Sequence, residues 1–197
     1  MKKITKKADS FVLQNNLRYI VGGDNKSLNK ILLHEQKSFC AYTEEYIGIN
    51  DSPDIEHFNP NLKGQTEDSY NNWFVVKHKP NQRKTNNWKI PILDPCDTDF
   101  EKRVIYVDGD YIWNPGDIEA ENLIELLNLR DQIFVKERRR YIKRRQERIS
   151  ELGISPEEYF SDRIEKDIDQ IKYLRAIQEV FRIDIWSMIP EVEEKQD

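Results

Sequence analysis

The chain has 197 residues, of which 38% are hydrophobic and 34% are charged, with a net charge of −5 at pH 7. The 11% of aromatic residues argues against wholesale disorder, and the two cysteines, Cys40 and Cys96, exclude a disulfide framework and a four-cysteine zinc site. No apolar run approaches the ~18 residues of a membrane helix, and the basic start lacks the apolar stretch of a secretory signal. We therefore expect a cytoplasmic protein with no membrane partner.

The first half of the chain predicts a small mixture of helix and strand. Residues 1–26 form a basic segment, and we expect its first ten residues to be weakly ordered. An amphipathic helix then begins near Ser27, with Ser27 or Asn25 as its N-cap. The later elements are an extended turn or hairpin over 40–49, strands over 54–58 and 73–76 with a polar loop at 59–69, and a short helix over 81–87 that Pro80 opens.

The second half predicts one hairpin and then helices to the end. Two β-rich runs flank Asp108-Gly109, which is a strong short-range hairpin signal. The helices that follow are one capped by Asp117, a long one from about 131 to 152 that ends at Gly153, and one that starts at Ser155-Pro156 and continues in one or two pieces to about 182, before an acidic tail at 191–197.

Charge is segregated along the chain. Residues 130–152 carry nine basic and four acidic side chains, a net charge of +5, so that the remaining residues carry −10. The acidic total therefore does not exclude a nucleic-acid partner.

One of the three histidines lies in a dense polar context, in the sequence D-I-E-H-F-N-P. His57 follows Glu56, so that an oxygen donor suited to Mg²⁺ stands beside a base that titrates near neutrality. Taken alone, His57 is readily explained as a packing or surface residue, and asparagines are common in the loop that follows. The order and spacing of the whole set, which includes Asn72, Asn81 and Lys84, favour a functional site.

The segment from Phe39 to Lys84 resembles the HNH nuclease, or ββα-metal, family. The resemblance rests on C-A-Y-T at 40–43, I-E-H-F-N-P at 55–60, N-N-W at 71–73 and P-N-Q-R-K at 80–84. It implies that the two strands and the helix over 81–87 are the family's ββα core. The roles it implies are general base for His57, orientation of the histidine and loop for Asn72, binding of Mg²⁺ or Mn²⁺ for Glu56 and Asn81, and phosphate contact for Arg83 and Lys84.

The motif departs from many HNH relatives, which surround it with two C-x-x-C pairs that bind a structural zinc. The first pair survives only as Cys40 with Thr43, and V-V-K-H-K-P-N stands where the second is expected. Because Cys40 and His78 alone are too poor a zinc site, we expect no structural zinc. Packing should hold the motif instead, through Phe39, Tyr42, Phe58, Trp73 and Val75.

A looser resemblance extends over residues 30–150. The early C-x-Y, the I-E-H-F-x-P, the I-L-D-P at 92–95 and the helix N-L-I-x-L-L-N-L are similar to the HNH components of Septu-type and retron-associated anti-phage systems. This resemblance implies a role in antiviral defence and an ATPase partner.

The basic helix within 130–152 has three interpretations. It can be a solvated face with i,i+4 ion pairs, a surface for phosphate, or a surface for an acidic protein partner. Beside a nuclease motif the second is favoured, with Arg139, Arg140, Lys143 and Arg144 as the contacts and the arginines facing outward.

We therefore expect an α+β protein with a ββα-metal HNH core, an additional β-hairpin and a C-terminal helical region. Its expected parts are a basic segment at 1–26, the core at 27–90, a loop and hairpin extension at 91–116, the helical region at 117–190 and the tail at 191–197. The expected activity is metal-dependent hydrolysis of phosphodiester bonds in DNA. The alternatives are a ribonuclease or tRNA-cleaving toxin that uses the same site, and a catalytically silent adaptor of an ATPase.

Overall fold

The computed structural model describes residues 1–78 and 88–191, and shows a mixed α/β protein with two small antiparallel sheets and several helices. The strands are β1 (Pro53–His57), β2 (Trp73–Lys77), β3 (Ile105–Val107) and β4 (Asp110–Ile112). The helices are α1 (Phe11–Gln14), α2 (Lys26–Glu35), α3 (Phe100–Arg103), α4 (Ile118–Leu126), α5 (Gln132–Leu152), α6 (Pro156–Asp167), α7 (Leu174–Phe181) and α8 (Ile185–Met188), with short 3₁₀ turns at Pro60–Leu62, Tyr70–Asn72 and Ile168–Gln170.

Strands β1 and β2 form the first sheet, within one residue of the bounds expected from sequence. They pair antiparallel, with Pro53 opposite Lys77 and His57 opposite Trp73. Residues 73–76 of β2 are buried, as its continuous apolar run predicts for a strand covered on both faces. The helix expected over 81–87 lies outside the described residues.

The N-terminal residues are packed into the body, and the prediction of a weakly ordered start was wrong. Met1 has no exposed surface, the Ile4 amide donates to the carbonyl of Pro95 at 3.0 Å, and the Lys7 amide donates to the Tyr70 hydroxyl at 2.9 Å. The Lys6 ammonium lies over the Tyr70 ring, 4.4 Å from its centroid. Long lysine side chains can pack their methylene groups on apolar surface. A high lysine content therefore does not by itself indicate a weakly ordered segment.

The second sheet is the predicted hairpin. Strands β3 and β4 pair with Tyr106 opposite Tyr111, and the turn residues Asp108 and Gly109 both have positive φ, at 43° and 82°. Two positive φ values in succession are typical of the type I′ turn, for which Asp-Gly is a preferred sequence.

Local capping chemistry sets the bounds of the C-terminal helices as expected. The side chain of Asp117 accepts from the amide of Ala120 at the start of α4. Helix α5 ends at Gly153, which has φ +64°, and the Ser155 hydroxyl caps α6 by accepting from the amide of Glu158 at 3.1 Å. At the start of α2, Asn25 holds the cap position, but its side chain accepts from the amide of Ile20 instead of capping.

Helix α5 docks on the hairpin turn through an arginine, so the expectation that its arginines face outward fails at Arg138. This side chain is buried and donates to the carbonyls of Gly109 at 2.6 Å and Leu129 at 2.7 Å. The next residue, Arg139, is exposed but donates to the Asp108 carbonyl. The acceptors are backbone carbonyls of the hairpin turn. The charge pattern along the helix alone cannot predict them.

Two clusters of buried side chains form the core. One lies around the two sheets and helices α2 and α4, and the other among helices α5 to α8, where Phe39 also packs. The five residues expected to hold the motif are all buried: Phe39, Tyr42, Phe58, Trp73 and Val75. Within 1–78 and 88–191, none of the helices has the length and apolarity needed to cross a membrane.

Substituting Gly109→Ala should lower the free energy of unfolding by more than Gly116→Ala. Both glycines have positive φ, at 82° and 86°, a conformation that costs an alanine about 1–2 kcal/mol. A Cβ at Gly109 would also lie 2.8 Å from the carbonyl oxygen of Val135 in α5, whereas one at Gly116 meets nothing within 4 Å. Urea denaturation measures both changes, and equal losses would show that the turn does not pack closely on α5.

Candidate functional site

The candidate site lies where β1 ends and β2 begins. His57 is the last residue of β1, and Asn72 closes the 3₁₀ turn that leads into β2. The Phe58 amide donates to the Asn72 carbonyl at 2.9 Å, which extends the ladder beyond the strands. The antiparallel pairing therefore brings the two predicted residues to the same end of the sheet.

The side chain of Asn72 holds the loop between the strands closed. Its Oδ1 accepts from the Asn59 amide at 2.7 Å, and its Nδ2 donates to the Asn59 carbonyl at 3.2 Å and to Asp68 Oδ1 at 2.9 Å. Asn72 is buried, so these bonds satisfy polar atoms that water does not reach. These bonds link Asn72 to the loop and, through Asp68, to the region of the histidine, while its role in the reaction stays a prediction.

Asp68 is the site residue that the sequence did not reveal. Its carboxylate is buried, with Oδ2 3.0 Å from His57 Nε2 and Oδ1 accepting from Trp73 Nε1 at 2.8 Å as well as from Asn72. In the sequence it is one acid among the polar residues of 59–69, beside Glu67. Asp68 lies four residues before Asn72. This spacing indicates a contact only if the fold of the loop, which turns back onto β1, is already known.

The imidazole of His57 lies in a largely dry environment. It is 4% exposed, and the Tyr19 ring packs edge-on against it with 4.5 Å between ring centroids. Burial lowers the pKa of His57, and nearby Lys63 acts in the same direction, while the Asp68 carboxylate opposes them. The net direction keeps the imidazole neutral at pH 7, which is the form that a general base requires.

Glu56 precedes the histidine and lies half-buried on β1, opposite Phe74. Burial raises the pKa of Tyr42, and the negative charge of Glu56 raises it further. The Tyr42 hydroxyl is buried and finds no hydrogen-bond partner among the residues that the structure describes. The carboxylate of Glu56 and the amide oxygen that Asn81 offers in the sequence are hard oxygen donors, the ligand type that Mg²⁺ or Mn²⁺ prefers.

The remaining predicted site residues fall into two groups. Asn81, Arg83 and Lys84 lie outside the described residues. The other four are exposed on helix α5: Arg139, Arg140, Lys143 and Arg144.

Most of these exposed cations have acidic neighbours. Arg139 pairs with Asp108 of the hairpin turn, and Arg140 and Lys143 pair with glutamates of their own helix. Arg144 makes no ion pair with any residue in 1–78 or 88–191. Surface pairs of this kind contribute little energy, so a phosphate can replace the glutamates.

Cys40 makes a contact within the first sheet. The thiol is buried and its sulfur accepts from the Lys77 amide at 3.3 Å, at the far end of β2 from His57. His78 contacts Asp54, with 2.8 Å between Nδ1 and Oδ2. No group of three or more His, Cys, Asp or Glu side chains that could hold a metal occurs among the described residues, and the expected absence of zinc stays a prediction.

A neutral imidazole beside a buried carboxylate and next to an oxygen-donor glutamate is an arrangement suited to general-base hydrolysis. Comparison with known families agrees with this class: residues 40–89 match the family model described as HNH endonuclease. The match covers about a quarter of the chain, including β1, β2 and the site. Residues 40–89 are thus similar to HNH endonucleases, which confirms the resemblance of the segment from Phe39 to Lys84 to that family, while the looser resemblance over residues 30–150 stays a prediction. Neither the curated proteins nor the solved structures contain a match.

Substituting Asn72→Asp should lower the free energy of unfolding by about 3 kcal/mol, because a second buried carboxylate would face Asp68 and the Asn59 carbonyl. Asn61→Asp makes the same chemical change at an exposed position of the same loop and should change stability little. Thermal or urea denaturation of both variants measures the difference. Equal stability of the two would mean that Asn72 does not close the loop.

Proposed function

We propose that this protein is a metal-dependent HNH endonuclease that hydrolyses phosphodiester bonds, with DNA as its substrate. The observation that carries the proposal is the buried His57 at the end of β1, inside the segment that matches the HNH family. The nuclease class and a nucleic-acid substrate follow from the family. The metal, the preference for DNA and the roles of individual residues belong to the proposal.

In the proposed reaction the imidazole of His57 accepts a proton from the attacking water. Glu56 and Asn81 would hold Mg²⁺ or Mn²⁺, and the ion would supply charge stabilisation to the scissile phosphate and to the leaving oxygen. Asn72 keeps the loop in the conformation that places His57, and Arg83 and Lys84 contact the phosphate backbone. One positioned base is sufficient when a metal ion supplies the charge stabilisation, so a second histidine is not needed.

The proposal extends to the setting of the reaction. The looser resemblance to HNH components of anti-phage systems supports a role in defence, with an ATPase as the protein that controls cleavage. A free nuclease endangers its host, which gives a physical reason for such control. In this setting helix α5 binds either the nucleic acid or the acidic surface of that partner.

Substituting His57→Ala should reduce the cleavage rate by about 10²–10⁴-fold, because no other histidine lies at this end of the sheet in the described part of the chain. His34→Ala on α2 is the matched control and should cut at the parent rate. Plasmid DNA and tRNA are incubated separately with each protein and Mg²⁺. Cleavage of tRNA alone would replace the DNA preference with the ribonuclease alternative, and parent-level cutting by the His57 variant would overturn the assignment.

Replacing Arg140, Lys143 and Arg144 together by glutamine should weaken DNA binding and flatten its dependence on salt. The logarithmic salt slope should fall by about one for each phosphate that the variant no longer neutralises. Arg139 is left in place because it also holds the hairpin turn. The control replaces three exposed cations elsewhere, Lys102, Lys166 and Arg182, and so removes the same total charge. Equal salt slopes for the two triple variants would favour a protein partner for α5.

A further inference from the structure

We propose that Arg18 and Lys63 are substrate-contact residues that hold the phosphate backbone of the nucleic acid beside His57. Together with Tyr19 they form a surface that we call the N-terminal rim. The inference rests on the proposed function, which it deepens by naming side chains that bind the substrate next to the candidate base. Arg18 and Tyr19 lie outside residues 40–89, which match the HNH family. Lys63 lies inside that segment but in none of the motifs that carry the resemblance.

The rim lies directly against the candidate site. The Tyr19 ring packs edge-on against the His57 ring, with 4.5 Å between their centroids, and the Lys63 ammonium lies 5.5 Å from the Tyr19 centroid. Arg18 Nη1 donates to the backbone carbonyl of Asp68 at 3.2 Å, and the carboxylate of the same residue lies 3.0 Å from His57 Nε2. One residue therefore separates each cation from the histidine, and a phosphodiester that reaches His57 also comes close to both.

The two cations have no acidic partner in the part of the chain that the structure describes. Arg18 and Lys63 are both exposed, and neither forms an ion pair with an acid of residues 1–78 or 88–191. On helix α5, by contrast, most of the predicted phosphate contacts already have acidic neighbours. A phosphate can therefore bind to the rim without displacing a carboxylate, so that more of the Coulomb attraction contributes to binding.

The chemistry of the two side chains suits phosphate. Arg18 presents a planar fork of five N–H donors, and the Asp68 carbonyl accepts from one of them, so that others can bind two phosphate oxygens at once. Lys63 adds a compact charge whose ammonium lies over the Tyr19 ring. A carbonyl and an aromatic ring orient these cations without neutralising them, because neither carries a net negative charge.

The backbone that carries the rim is held in place before any substrate binds. The side chain of Asn25 accepts from the Ile20 amide and donates to the Ile20 carbonyl, both at 2.8 Å, and the Gly23 amide donates to the same carbonyl at 3.0 Å. The Lys63 side of the rim is close as well, since a Cβ at Gly64 would lie 3.3 Å from Val21 Cγ2. Binding to a preorganised surface loses little conformational entropy.

An acidic protein surface is the other partner that two exposed cations could bind. The rim borders the histidine that the proposed reaction needs, so a protein bound there would cover the place where the scissile phosphodiester has to lie. Ile20 and Val21 are 57% and 62% exposed beside the cations, and proteins that bind the minor groove combine basic side chains with apolar contacts of this kind. These observations favour nucleic acid.

The double substitution Arg18→Gln and Lys63→Gln tests the inference. Binding of a labelled DNA duplex is measured by fluorescence anisotropy in metal-free buffer with EDTA, so that affinity is read without cleavage; tRNA replaces the duplex if the parent binds tRNA alone. The logarithmic salt slope should fall by about two, so that raising the salt from about 50 to about 200 mM weakens the binding of the variant about 12-fold less than that of the parent. With Mg²⁺ the KM for cleavage should rise while kcat stays near that of the parent, because the contact is made equally before and during the reaction.

The matched control is Lys102→Gln with Arg182→Gln, which removes the same charges from two side chains that are each 81% exposed and lie away from the site. It should keep the parent salt slope and KM. If the double variant of the rim does not fold, Lys63→Gln alone keeps the Arg18 contact and should lower the slope by about one. Equal slopes for the rim variant and the control, in a parent that binds and cuts nucleic acid, would overturn the inference and leave the proposed function standing. A parent that neither binds nor cuts DNA or tRNA would overturn both.

Discussion

The contact between the Asp68 carboxylate and the His57 imidazole constrains the whole loop between β1 and β2. A buried carboxylate is tolerated only when its oxygens are hydrogen-bonded or paired, because uncompensated charge away from water costs several kcal/mol. Asn72 and Trp73 donate hydrogen bonds to Oδ1, and His57 Nε2 lies 3.0 Å from Oδ2, so that all three neighbours come from the ends of the two strands. The sheet, the loop and the candidate base are therefore one cooperative unit, and a change in any of them is felt by the others.

A second set of contacts joins the hairpin to the C-terminal helices, and a buried positive charge lies at its centre. Arg138 is buried, and backbone carbonyls of Gly109 and Leu129 accept its hydrogen bonds. The guanidinium also lies 4.8 Å from the centroid of the Tyr111 ring. A planar, forked donor can satisfy two carbonyls and a ring face at once, which a lysine cannot do. These contacts fix the orientation of helix α5 near its start. That orientation leaves Arg139, Arg140, Lys143 and Arg144 exposed.

Elements whose signals are local could be predicted from the sequence. The strands at 54–58 and 73–76, the Asp108-Gly109 hairpin and the caps at Asp117, Gly153 and Ser155 all depend on chemistry within a few residues, and all are found. The burial of Met1, the inward turn of Arg138 and the role of Asp68 were missed. The first two depend on partners distant in sequence, such as Pro95 for the N-terminal segment, and the contacts of Asp68 depend on how the loop turns back onto β1. No periodicity encodes these encounters.

The Gly109 turn lies close to α5, and this limits where related chains can carry insertions or deletions. Hairpin tips are ordinarily the places where loops grow, because they project into solvent and touch little else. Here the tip packs against the Val135 carbonyl and the Arg139 side chain, so an inserted residue would push the helix away from the turn. The connection around Gly116 has open space beside it and no such restriction. Related chains that keep the buried arginine should therefore vary in length after β4 and hold the β3–β4 tip constant.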